Sequence, residues 1–127
     1  LYGFAYTLPG PTPRPTFVVA GSGEVVELAP ERIVRRGETS PDAIREKAAF
    51  VMSVMQSRLH GLGADWGDGT AIDVYTPHPI EPFVRDVVLG VAGPAAVHGV
   101  RWYPSHPPIV GLEYEMDMRG IARELTV

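Results

Sequence analysis

The 127-residue sequence contains no cysteine. This absence excludes disulfides, thiolate nucleophiles and cysteine-ligated zinc. The sequence also lacks an H-E-x-x-H or H-x-H pattern, so we expect no metal site. No glycine-rich phosphate-binding loop is present either, which argues against a nucleotide.

Long apolar runs and a basic surface are also missing. No run approaches the ~20 apolar residues that span a bilayer, and no charged segment precedes an apolar one as in a secretory signal. We therefore expect no membrane association and a cytoplasmic location. The formal net charge is −4, and Glu31 and Glu38 flank the one basic cluster, Arg32, Arg35 and Arg36. Binding to nucleic acid is not expected from such a balance.

Thirteen prolines and fourteen glycines divide the chain into short elements. The length fits one domain over residues 1–127. Residues 17–20 and 24–28 read as a hairpin around a glycine turn. A long helix begins after Ser40, a good N-cap, with Pro41 in the first turn. Its apolar stripe recurs at spacings of three and four: Ile44, Ala48, Val51, Met55, Leu59 and Leu62.

The later elements are a strand at 71–76, a helix at 82–91 and strands at 97–103 and 109–121. In the last strand Leu112, Tyr114, Met116 and Met118 share the apolar face. This order predicts an α/β (α+β) domain, a mixed sheet with two helices packed on one face. The other sheet face would be left bare, so we expect partner subunits to cover it in a closed oligomer.

Three carboxylates, Glu113, Glu115 and Asp117, alternate along the last predicted strand and should share one face. They form either a solvated face or part of a pocket that acts on a water or a substrate proton. If the strands at 97–103 and 109–121 are adjacent and antiparallel, His98 lies beside Glu113. That pair would be an acid/base pair or a structural histidine.

Other polar residues have plainer interpretations. Ser22, in Gly21-Ser22-Gly23, is predicted to be a turn serine whose neighbouring N–H groups could help bind an anion. His78 and His106 lie next to prolines and are predicted to be loop histidines.

Three segments resemble the RidA/YjgF enamine/imine deaminases. Residues 17–23 resemble the family's apolar strand and S-G-Q triplet, and the helix after Ser40 resembles its long first helix. Residues 94–118 resemble the C-terminal signature, which runs P-A-R, then a proline, then hydrophobic-E-hydrophobic-E. Here it reads Pro94-Ala95-Ala96-Val97-His98, Pro107 and Leu112-Glu113-Tyr114-Glu115. In element order the resemblance covers nearly the whole chain.

The resemblance implies a chorismate-mutase-like fold and a homotrimer with ligand sites between subunits. It implies hydrolysis of a small enamine or imine to a keto acid and ammonia, with no metal or organic cofactor. By position, Glu113 matches the glutamate that places the attacking water, and His98 matches the arginine that holds the substrate carboxylate. The other matched positions are Gly21 and Ser22 in the triplet, Val100 for backbone contacts to the ligand, and Tyr6 for the pocket tyrosine.

Histidine at position 98 departs from the family pattern. An arginine grips a carboxylate with two charged donors, and its loss could cost ~2–3 kcal/mol of binding. Arg101 or Arg14 could supply the charge instead. The sequence thus favours a cofactor-free deaminase or related hydrolase of a small enamine, imine or unsaturated acid. In this hypothesis Glu113 orients water and His98 polarises or protonates the substrate. The alternatives are a non-catalytic trimeric module that binds a small metabolite or a partner and, more weakly, RNA binding or cleavage.

Overall fold

A computed structural model describes residues 4–27 and 29–125. Four strands form one mixed sheet: β1 (Phe17–Gly23), β2 (Ala71–Tyr75), β3 (Arg101–Tyr103) and β4 (Glu115–Gly120). Their order across the sheet is β1-β4-β2-β3. β4 pairs antiparallel with β1 and with β2, and β3 pairs parallel with β2. Within the described residues no helix is both long and apolar enough to cross a membrane.

The long helix α1 (Pro41–Gly61) is confirmed. The Ser40 hydroxyl accepts a hydrogen bond from the Ala43 N–H at 3.3 Å, as an N-cap should. Five members of the predicted stripe are buried, whereas Leu62 is half exposed because it follows the last helical residue. Gly63, at φ 69°, then turns the chain away in a left-handed conformation.

The second helix forms two residues later than predicted. A π-helix (Val84–Leu89) runs directly into a short α-helix, α2 (Gly90–Ala92). This second helix and α1 bury apolar side chains in one core with the inner face of the sheet. The α+β class, with a mixed sheet and helices over one face, is therefore confirmed.

The predicted hairpin at 17–28 is wrong. β1 runs unbroken through the glycines and pairs with β4, with a register shift between Val19 and Ser22. Gly21 and Gly23 let other side chains approach the backbone closely, which suits a β-bulge rather than a turn. Within the described part of 24–28, the β-type pairing is limited to an isolated bridge from Val25 to Ile33. Leu28, the last residue of that predicted strand, lies outside the described residues.

The last two strands are shorter than predicted. Residues 97–98 belong to a 3₁₀-helix (Gly93–His98), and Gly99, at φ 72°, separates this helix from β3. β4 starts only at Glu115, although Leu112, Tyr114, Met116 and Met118 are all buried as predicted. The reason lies in the hydrogen bonds: the Glu113 and Tyr114 N–H groups donate to the Glu24 carboxylate and not to a neighbouring strand.

Glu24 belongs to a fully buried ion pair. Its Oε1 lies 3.2 Å from Lys47 Nζ, and both side chains have no exposed surface. Lys47 also donates to the Val34 carbonyl at 2.8 Å. The carboxylate accepts the Glu113 N–H at 2.7 Å and the Tyr114 N–H at 3.1 Å. One buried side chain thus joins the end of β1, helix α1 and the approach to β4.

Removal of the lysine from the Glu24–Lys47 ion pair should lower the free energy of unfolding. Lys47→Met leaves the Glu24 carboxylate buried without its cation, and we expect a loss of about 3–5 kcal/mol in the free energy of unfolding. Arg45→Met, an exposed arginine on the same helix, should change it by less than about 0.5 kcal/mol. Urea denaturation measures both. Equal midpoints for Lys47→Met and wild type would show that the pair is not needed for stability.

Candidate active site

Polar side chains collect where β2 and β3 end and β4 begins. Tyr75, Tyr103 and Glu115 are aligned across the sheet, since Tyr75 pairs with both of the others. The two tyrosine rings stack at 5.0 Å. All three point away from the helices, because their neighbours along each strand face the core.

Glu113 lies beside two histidines at this end of the sheet. Its Oε2 is 2.8 Å from His78 Nε2, within hydrogen-bond range, and 3.7 Å from His106 Nδ1. The Glu113 and His78 side chains are 17% and 23% exposed, so the pair is sheltered but reachable by water. A carboxylate held by an imidazole in this way has a fixed orientation, which suits it to place a water or accept a proton.

A first cleft of about 250 Å³ opens on the polar face of the sheet. Its lining comes from three strands and the loop before β4: Gly21, Tyr75, His106, Pro107, Pro108, Glu115 and Asp117. Glu115 lies against Gly21 so closely that a Cβ there would overlap its Oε1. A side chain at position 21 would therefore displace the Glu115 carboxylate.

The carboxyl groups of this cleft have raised pKa values. Burial, then the neighbouring Asp117 and Glu24, raise the pKa of Glu115 above its usual 4.5. Burial is also the main cause that raises the pKa of Asp117, which accepts a hydrogen bond from the Tyr75 hydroxyl at 3.0 Å. Burial and Asp117 together raise the pKa of Tyr75. A carboxyl group of raised pKa keeps its proton to higher pH, which suits it to act as a proton donor.

A second cleft of about 290 Å³ lies on the other side of Gly21 and Glu115, which line both clefts. Its walls combine the bulge of β1, the segment after it and the outer side of α1. The lining residues are Gly21, Ser22, Gly23, Val25, Val26, Glu27, Phe50, Val54, Arg58, Ile109 and Glu115. Glu115 thus lies where the two clefts meet, and the second cleft adds apolar side chains from α1 and from the segment after β1.

The structure brings some predicted site residues together. Gly21 and Ser22 line the clefts, and Glu113 borders the first cleft through His106. The predicted pairing of His98 with Glu113 is wrong within one chain, because β2 and not β4 is the neighbour of β3. His98 is exposed at the start of β3, at the opposite end of the sheet from Glu113.

The other predicted residues lie away from both clefts. Tyr6 is 70% exposed and stacks on Phe4. Val100 packs against the core. Arg101 is bound to Asp73, with 2.9 Å between its Nε and Oδ1, so its charge is already neutralised.

His78 and His106 were the residues that sequence reasoning left out. Both were interpreted as loop histidines, and both do lie in loops. The available signal for His78 was its place three residues after Tyr75, at the end of a buried strand, where polar side chains commonly line a site. Neither could be assigned to Glu113 without the sheet order. Within 4–27 and 29–125, no three histidine, aspartate or glutamate side chains are arranged to hold a metal ion.

The raised pKa of Glu115 predicts a pH dependence. A carboxyl that binds its proton more tightly when folded stabilises the fold below its unfolded pKa, and this contribution is lost as pH rises through the folded pKa. Relative to Glu115→Gln, wild type should therefore lose free energy of unfolding as pH rises above 4.5. Urea titrations from pH 4 to 8 measure the difference. A difference that stays constant or grows with pH would refute the assignment.

Comparison with known proteins identifies the family. The family described as 2-aminomuconate deaminase CnbZ matches residues 1–125. A 2-amino-5-chloromuconate deaminase of Comamonas testosteroni is 40% identical over 129 residues, which cover 98% of this chain and 51% of that protein. The chain therefore spans about half the length of the curated relative that it matches.

Solved structures show the same fold at low identity. A proposed endoribonuclease of Klebsiella pneumoniae aligns with a TM-score of 0.59 at 14% identity, over 83% of this chain and 91% of that one. A protein of unknown function from Yersinia pestis is described as a member of the conserved Rid family. It aligns with a TM-score of 0.54 at 14% identity, over 83% of this chain and 77% of that one. The resemblance to RidA/YjgF proteins is confirmed, and the chain belongs to the 2-aminomuconate deaminase CnbZ family.

Proposed function

We propose that this chain hydrolyses a small enamine, or its imine tautomer, of the 2-aminomuconate type to the keto acid and ammonia. One observation carries the proposal: Glu115, a carboxyl of raised pKa, stands at the wall between two clefts, near Glu113 and its histidine. The family match and the muconate deaminase relative support the substrate class.

The reaction needs one proton donor and one proton acceptor. Protonated Glu115 delivers its proton to C3 of the enamine, and the C2–N bond becomes an iminium. Water then attacks C2 and gives its proton to Glu113. Glu113 passes that proton to the amine, ammonia leaves, and the carbinolamine hydroxyl returns a proton to Glu115 as the carbonyl forms. Both carboxyl groups end in their starting states, so the cycle balances.

His78 acts here as a positioning residue. It holds one oxygen of Glu113 at 2.8 Å and leaves the other oxygen for water. The histidine-and-carboxylate pair that the sequence predicted between His98 and Glu113 is thus proposed for a different histidine. His106, which lines the first cleft, lies 3.7 Å from the same Glu113 oxygen through its Nδ1.

A homotrimer with its sites between subunits also belongs to this proposal. The sheet face away from the helices leaves Val18 50% and Tyr103 40% exposed, and a neighbouring subunit would cover them. Across such an interface, His98 of one subunit could approach the Glu113 of another, which it does not do within one chain. RNA cleavage is disfavoured, because a chain with a formal net charge of −4 offers little attraction to a phosphate backbone.

Substitution of the two glutamates tests the roles. We expect Glu115→Gln and Glu113→Gln each to lower kcat for ammonia release from freshly generated 2-aminomuconate by about 10²–10⁴-fold, the usual contribution of a proton-transfer group. Asp86→Asn, at an exposed carboxylate on the second helix, is the matched control and should leave the rate unchanged. Full activity in both glutamine variants would exclude the mechanism.

His78 is tested by separating kcat from KM. His78→Gln retains a donor near the position of Nε2, whereas His78→Phe retains none. We expect the phenylalanine variant to lose about tenfold or more in kcat with little change in KM, and the glutamine variant to recover part of that loss. Equal kcat values for both variants and wild type would mean that His78 does not position Glu113.

The assembly is tested by mass in solution. Light scattering after gel filtration should give three times the 13.8 kDa of one chain. Val18→Asp, which places a carboxylate on the exposed sheet face, should shift the mass toward that of a single chain. A monomeric wild type with full activity would disprove the proposed interface site.

A further inference from the structure

We propose that Arg58, in the second cleft, binds the distal carboxylate of a dicarboxylate substrate and so selects muconate-like diacids over monoacids. The binding role of Arg58 is argued below from its contacts, whereas the reaction that follows binding rests on the proposed function. It supplies the cation that the family's arginine would provide at position 98, from a different place in the fold.

The bulge of β1 fixes the position of Arg58. The register shift between Val19 and Ser22 takes Ala20 and Gly21 out of the ladder with β4. Arg58 Nη1 donates to the Ala20 carbonyl at 3.1 Å and to the Gly21 carbonyl at 3.4 Å. An arginine has five N–H donors, and these two contacts use one nitrogen. The remaining donors are held at the cleft on a guanidinium that is already oriented.

The charges around the clefts single out Arg58. Within 4–27 and 29–125 it is the one arginine or lysine that lines either cleft, and no described carboxylate lies within ion-pair distance of it. Arg101 and Arg119 are occupied by Asp73, and Glu27 of the second cleft is paired with Arg32. A guanidinium that has no carboxylate partner among the described residues, and that lies beside a cleft, is suited to bind a planar carboxylate with two hydrogen bonds.

The shape of the second cleft fits the rest of a muconate. Beside Arg58 and Glu115, the same cleft is lined by five apolar side chains: Val25, Val26, Phe50, Val54 and Ile109. Such a wall suits the conjugated carbon chain that joins two carboxylates. Arg58 and Glu115 both lie against Gly21, so the distal carboxylate would bind close to the carbon that accepts the proton.

The test compares substrates that differ only at the distal end. Ammonia release is measured with 2-aminomuconate and with its distal methyl ester, for wild type, Arg58→Gln, Arg58→Lys and the control Arg45→Gln on the same helix. We expect Arg58→Gln to raise KM for the diacid about tenfold or more, with kcat nearly unchanged, and to leave the ester unaffected. The KM of Arg58→Lys for the diacid should lie between those of wild type and Arg58→Gln, and the KM of Arg45→Gln should equal that of wild type.

A second measurement does not depend on turnover. Muconate, which lacks the amino group, should raise the Tm of wild type and of Arg45→Gln, but not that of Arg58→Gln. If wild type deaminates the diacid and Arg58→Gln shows the same KM, the role of Arg58 is refuted and the proposed function stands. If muconate binding depends on Arg58 but no ammonia is released, the site stands and the deaminase proposal falls. The absence of both binding and turnover overturns both.

Discussion

The Glu24 carboxylate, buried against Lys47, is the constraint on which the position of the candidate site depends. It accepts two successive N–H groups, those of Glu113 and Tyr114, and so ends the β4 ladder at Glu115. A buried ion pair contributes little net stability compared with apolar packing. The hydrogen bonds of this pair nevertheless tie helix α1 to the segments before α1 and before β4. Here that arrangement makes Glu113 a loop residue facing two histidines, and Glu115 the first residue of a strand.

The acidic side chains on the sheet face away from the helices differ in whether an arginine binds them. Asp73, nearly buried, is matched by two arginines: Arg101 Nε lies 2.9 Å and Arg119 Nη1 lies 2.7 Å from its carboxylate. Among the residues that the structure describes, no arginine or lysine forms an ion pair with Glu115, and the neighbouring charges that raise its pKa are those of Asp117 and Glu24. The same face therefore holds one aspartate that two arginines bind and one glutamate whose pKa is raised. Where no cation neutralises a partly buried carboxylate, its pKa rises, and the group is suited to donate a proton.

Local signals predicted part of this fold. The capped helix after Ser40, the strand at β2 and the buried apolar face of β4 follow from spacing and capping, which depend on near neighbours in sequence. The failures share a physical cause, because the missed features are long-range pairings. The hairpin failed because β1 pairs with β4, about a hundred residues away. The pairing of His98 with Glu113 failed because β2 lies between β3 and β4. For the same reason His78 could not be placed beside Glu113, although both were visible in the sequence.

The bulge in β1 has a consequence for how copies of this chain can meet. β1 is one of the two outer strands of the sheet. An outer strand with a regular ladder of free N–H and C=O groups invites another strand to add to it. In β1 the register shift interrupts that ladder, Arg58 occupies the carbonyls of Ala20 and Gly21, and prolines at 9, 11, 13 and 15 precede the strand. The addition of a strand from another copy of this chain is therefore discouraged at this edge of the sheet.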